Sequence, residues 1–143
     1  RIAQRLDAIR HPDSTFLAGG SAMDWVRDGL RVQVKHAQML FQRGNHWCCN
    51  FSRIKCAMND ARQRDLLDEL RLVVYSPFGL HFFKHAGGTI GFIEAGLRTG
   101  THGHNILFSA PAGVVDVKAA LEAIMQKMKD KGFHLFAEVK WDR

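Results

Sequence analysis

The chain lacks most of the features that would assign its class at a glance. None of its apolar runs approaches the roughly 20 residues needed to span a bilayer, and no segment has the layout of a secretory leader. No concentrated Lys/Arg helix with a Trp/Phe/Leu face is present to hold a membrane surface, so no membrane partner is expected. Cysteines are few: Cys48 and Cys49 adjoin and Cys56 stands apart, an odd set of 3. No pair has zinc-finger spacing, and an odd count predicts reduced thiols in a cytoplasmic protein rather than a disulfide framework. Acid is in deficit, with 14 Asp+Glu against 20 Lys+Arg and a formal charge of +6. That balance favours a polyanionic partner such as nucleic acid. Internal repeats, low-complexity tracts and long linkers are absent. The 143 residues therefore predict one domain, 1–143, able to bury about two-thirds of its unfolded surface without staples. The first residue is Arg1, not Met, so the chain is expected to lack its true start.

What is present begins with a turn. Asp28-Gly29 sits between two alternating runs, Met23 to Arg27 and Leu30 to Lys35. Asp-Gly in that setting signals a β-hairpin, because a type I′ turn needs positive φ at both central residues. A two-residue loop also fixes the register: Arg27 faces Leu30, Val26 faces Arg31, Trp25 faces Val32 and Asp24 faces Gln33. With a side-chain period of two, Asp24, Val26, Arg31, Gln33 and Lys35 share one face. Met23, Trp25, Val32 and Val34 share the other, which is wholly apolar and is expected to be the core side. Directly opposed Cβ atoms lie about 5 Å apart and diagonal ones about 7–8 Å. One face thus places a carboxylate, an amide oxygen and an ammonium within reach of one metal ion and a water.

Around this hairpin the pattern predicts a helix over 1–10 and a short extended stretch at Thr15-Phe16-Leu17-Ala18. A third core strand is expected at His46–Phe51, after a Gly44-Asn45 turn. A short helix from Asn59-Asp60 should follow, then a buried strand over Leu70–Tyr75. A Ser76-Pro77-Phe78-Gly79 turn leads into a returning strand, Leu80–His85. The core is then about 1–85 and an appended layer about 86–143. That layer holds a strand or turn at Ile90-Gly91-Phe92-Ile93 and a Gly-rich loop over 95–104. A strand at Asn105–Phe108 comes next, then a helix capped by Asp116 and stopped at Gly132, and a closing strand from His134 to Trp141.

Met23-Asp24, with Gln33-Val34-Lys35 nine residues on, resembles the signature of the PD-(D/E)XK nuclease superfamily. Asp24 stands in the place of that family's Pro-Asp, and Gln33-Val34-Lys35 stands for its acidic-x-Lys tripeptide. The resemblance implies an α/β fold with a restriction-endonuclease-like αβββαβ core, a mixed central sheet flanked by helices, and here a C-terminal strand-helix-strand extension. It implies hydrolysis of DNA phosphodiester bonds with Mg²⁺ or Mn²⁺, a hard cation that takes oxygen ligands and keeps several waters. Asp24 would be the main ligand, Gln33 would add its side-chain carbonyl and Val34 its backbone carbonyl. Lys35 would hold the attacking water or the phosphate. Asp7, the one acid of the first helix, is a candidate accessory acid; Asp13 follows just after. Ser21 and Gln38 flank the motif as candidate DNA contacts. By analogy with enzymes that cut two strands symmetrically, a homodimer is implied. Gln33 removes one negative charge, which leaves two alternatives: a nuclease-fold module that binds nucleic acid without cutting it, and a nuclease directed at RNA.

Other patterns compete. The same Asp, Gln and Lys would suit the solvent face of any half-exposed hairpin. Glu138-Val139-Lys140 spells acidic-x-Lys literally, but it lies on a terminal strand with no core after it; a surface edge strand is the expected use. His102-Gly103-His104, with His81 and His85, could chelate zinc. The same loop, Arg98-Thr99-Gly100-Thr101-His102-Gly103-His104, is basic and Gly-rich, so Arg98, Thr99, His102 and His104 are candidate nucleic-acid contacts. His36 alternates to the expected core side as a structural histidine. Cys48 and Cys49 fall on a buried strand, where thiols are usually inert.

Overall fold

The structure, a computed structural model, describes residues 15–16, 25–27, 29–42, 44–54, 67–100 and 103–142. Its organising element is the apolar run that forms β6 (Glu69–Ser76), in which every residue but Tyr75 is buried. A strand buried on both faces must sit inside a sheet. β6 pairs in parallel with β3 (Leu30–Gln38) and antiparallel with β7 (Gly79–His85). The main sheet is mixed and six-stranded, in the order β1 (Thr15–Phe16), β2 (Trp25–Arg27), β3, β6, β7, β10 (His134–Lys140). A second sheet orders β4 (Leu40–Gln42), β5 (His46–Ile54), β9 (Gly103–Ser109), β8 (Arg98–Gly100). Among the described residues two helices join the sheets in an α/β fold: α1 (Gly88–Glu94) and α2 (Val117–Asp130).

The hairpin register is the expected one. Arg27 pairs with Leu30, Val26 with Arg31 and Trp25 with Val32, and Gly29 has φ +80°. Gly44 and Asn45 turn at φ +95° and +55°. The Asp116 carboxylate caps α2 by accepting from the Ala119 N–H at 3.1 Å, a bond that stabilises a helix by about 1 kcal/mol. Apolar Ala120, Leu121, Ile124 and Met128 recur at helical spacing and are buried.

Four expectations need correction. The strand over 46–51 is not the third strand of the main sheet; β5 pairs with β4 and β9, and the place beside β3 goes to β6. The 90–93 segment is helical, within α1. The last strand does not belong to a separate layer but joins the main sheet beside β7. The fourth concerns the core side. By register, Gln33, Lys35 and Ala37 share a face with Leu70, Leu72, Val74 and Phe83. That face carries the larger core, joined by Cys49, Phe51, Ile106 and Phe108 of the second sheet and by α2. The Val32 and Val34 face is also apolar, but its cluster is the smaller, with Val73, Leu80, Phe82 and Ala137. A central strand has two cores, so a polar residue on it does not mark a solvent face.

Among the described residues no helix is long and apolar enough to cross a membrane. The expected helices over 1–10 and from Asn59 lie outside the described residues.

Candidate active site

Two of the three motif side chains, Gln33 and Lys35, are described, both on β3. Gln33 is buried at 2% exposure, with Leu70 as its Cα partner across the parallel pair. Lys35 is half-buried two residues on, partnered by Leu72, and so shares Gln33's face. Val34 is 1% exposed, opposite Arg71. Asp24, Asp7, Asp13, Ser21 and His102 lie outside the described residues. On the β2 side the described pairing ends at Trp25 with Val32, one residue before Gln33.

The N-terminal half of β3 is anchored by a residue the motif search did not single out. Asp68 accepts from the Arg31 backbone N–H at 2.9 Å and from its Nε at 2.9 Å through Oδ2, and from Nη2 at 2.8 Å through Oδ1. The Asp68 N–H in turn donates to the Arg31 carbonyl at 2.8 Å. Bidentate guanidinium–carboxylate geometry fixes orientation as well as distance. These bonds from Arg31 hold the Asp68 carboxyl down at about 2. The clamp sets where β6 begins against β3, two residues before Gln33. Nothing in the sequence links Arg31 to a residue 37 positions away.

The opposite face of the sheet hides a charged pair. Arg71 is 2% exposed and its Nε donates to Glu69 Oε2 at 2.7 Å. Its guanidinium lies 5.0 Å from the centroid of the Phe136 ring, and Lys84 Nζ lies 5.4 Å from the same ring. A buried cation needs such partners. Two charges at strand spacing i, i+2 inside an apolar run were a readable signal for this pair.

The remaining candidates disperse. Gln38 is exposed at the far end of β3. His36 is exposed, not a core histidine, with its ring edge-on to Tyr75 at 5.8 Å. Arg98 and Thr99 pair with Asn105 and His104 in the second sheet, a different sheet from Gln33 and Lys35. His104 is half-buried, and its Nδ1 has no hydrogen-bond partner among the described residues. His81 and His85 stand on β7 in the main sheet, away from His104 on β9. His85 is boxed by Phe92 and Phe133, with centroids at 5.5 and 4.9 Å, and burial pushes its imidazole pKa down. Among the described residues no group of three or more His, Cys, Asp or Glu gathers to hold a metal ion. Burial pushes the Cys49 thiol up to about 12, the opposite of an activated nucleophile. β10 lies at the edge of the main sheet, and Glu138 on it is bound to His81.

With the geometry in hand, comparison with known protein families, curated proteins and solved structures finds no match.

Proposed function

We propose that this chain is a metal-dependent endonuclease that hydrolyses DNA phosphodiester bonds. The observation that carries the reading is the placement of β3. It is antiparallel to β2 in the register that the Asp28-Gly29 turn predicts, parallel to β6 on its other side, and bears Gln33 and Lys35 on one face. The donor set suits a hard cation. A carboxylate from Asp24, the Gln33 carboxamide oxygen and the Val34 backbone carbonyl are all oxygen ligands, which Mg²⁺ and Mn²⁺ prefer and zinc does not require. When bound, such an ion supplies Lewis acidity toward the phosphate and toward water.

The chain's own groups do the rest. Lys35, half-buried beside Gln33, places a positive charge where the phosphate or the attacking water is held, and low local polarity strengthens that attraction. Hydrolysis adds water across one P–O bond, its proton leaving with solvent. The net charge of +6 draws the polyanion in at low salt. The site acts within a homodimer in the cytoplasm in this reading. Ser21, Gln38, Arg98, Thr99, His102 and His104 are candidate backbone contacts, and Asp7 an accessory acid.

Gln33 favours a second reading, a nuclease-fold module that binds nucleic acid without cutting it. Plasmid and RNA cleavage in Mg²⁺ and in Mn²⁺ separates the two. The wild type is expected to cut DNA, and Asp24→Ala or Lys35→Ala to lose about 10²–10³-fold in rate. Equal cleavage by all three removes the assigned site. Salt-dependent binding without cleavage in either metal establishes the module, and cleavage of RNA alone redirects the substrate.

A further inference from the structure

At the opposite end of the same sheet face, three side chains form a hydrogen-bonded chain that the nuclease reading does not use. The register assembles it. Ser76 follows Val74 by two residues on β6, His81 is the Cα partner of Val74 on β7, and Glu138 is the Cα partner of His81 on β10. Ser76 Oγ lies 2.7 Å from His81 Nε2, and His81 Nδ1 lies 2.6 Å from Glu138 Oε2. A carboxylate only accepts, so Nδ1 carries the proton toward Glu138. In the neutral ring Nε2 is then an acceptor for the serine hydroxyl at 2.7 Å, the Gly79 carbonyl being its other, longer acceptor at 3.3 Å. That is the order nucleophile, base, orienting acid.

The chain borders a cavity of about 350 Å³ between α2 and the sheet, in the size range of small-molecule sites. His81 and Glu138 line it with Pro77 and Phe78; Ser76 itself is buried at 7% exposure and meets that lining through its bond to His81. Phe78, Trp141, Leu121 and Met125 give it apolar walls. Two cations, Lys118 and Lys140, are balanced there by two carboxylates, Glu122 and Glu138. The cavity therefore favours a neutral ligand. The Phe78 N–H donates to Ser76 Oγ at 3.1 Å and helps to fix the hydroxyl in place.

We propose that this is a second catalytic site, in which Ser76 is the nucleophile toward small neutral carboxylic esters. Ser76 Oγ forms a bond to the carbonyl carbon while its proton passes to His81 Nε2. The ester C–O bond breaks and the leaving alkoxide takes that proton. Water then attacks the acyl-serine, giving its proton to Nε2, and the Oγ–C bond breaks as serine is reprotonated. The net change is ester plus water to acid plus alcohol. Glu138 is a positioning residue that holds the His81 tautomer.

The test is labelling of the full chain with a fluorophosphonate, located by mass spectrometry, alongside p-nitrophenyl acetate hydrolysis. In the labelling step Oγ displaces fluoride and His81 takes the hydroxyl proton. One adduct on Ser76 is expected. His81→Gln should slow labelling by about 10²–10⁴-fold, and Glu138→Gln should alter the pH profile of labelling and not only its amplitude. No adduct on Ser76 in the folded wild type overturns the proposal, as does unchanged labelling in His81→Gln. Should His81→Gln fail to fold, the wild-type labelling rate against pH decides. A plateau set by one titrating group supports the site, and a rate merely proportional to hydroxide overturns it.

Discussion

The two ends of one sheet face are built in different ways. At the hairpin end, Gln33 and Lys35 lie on β3, which a two-residue loop joins to β2, and the register follows from the turn. At the turn end, Ser76 and His81 bind Glu138, which is 57 positions from His81 in the chain. Strand alternation sets Gln33 and Lys35, and likewise Ser76, His81 and Glu138, on the face that carries Ala37, Leu72, Val74 and Phe83. The difference is in what supports them. The hairpin end is pinned by Asp68 to Arg31 where β6 begins. The turn end is pinned by a close backbone approach, since a β-carbon on Gly79 would stand 2.1 Å from the Val139 carbonyl oxygen.

Those two supports can be broken separately. Gly79→Ala has the larger expected effect, because backbone cannot yield to the added methyl as a side-chain tip can. A loss of about 3 kcal/mol is expected in urea unfolding, with amide exchange rising first along β7 and β10 while β3 stays protected. Uniform loss of protection across the sheet would mean that the ends are not independent.

Asp68→Asn should act at the hairpin end and cost less, about 1–2 kcal/mol near pH 7, because the pair is a third exposed and partly screened. Its pH dependence has a definite sign. Arg31 holds the Asp68 carboxyl at about 2, below its usual 3.8. The stabilisation is therefore complete above about pH 4 and is lost as pH falls through 2. Wild type and Asp68→Asn should converge in stability at the acid end of that window; a constant difference would remove the ionic part of the clamp.

The same contrast explains what was legible in the sequence. Asp28-Gly29 specified three cross-strand pairs correctly because a two-residue loop leaves no freedom of register. Asp116 and the Ala120, Leu121, Ile124, Met128 stripe marked α2 for an equally local reason. The second sheet was not legible, because β5 takes its place from pairing with β9, whose residues arrive some 50 positions later. Nor was the core side of β3, since Leu70, Leu72 and Val74 decide it and their parallel docking leaves no local signature. His81 and Glu138 were each singled out for other chemistry, and only the register made them one cluster.

The central claim is that the hairpin end holds a hard cation for phosphodiester hydrolysis. Its most direct test is the Mg²⁺ dependence of DNA cleavage by wild type and Gln33→Glu. A carboxylate in place of the Gln33 amide raises the negative charge around the proposed ion, and ligand charge tunes the affinity of such sites. Half-maximal cleavage should then come at about tenfold less Mg²⁺ in Gln33→Glu. Active wild type and variant with the same Mg²⁺ dependence would contradict a metal at Gln33.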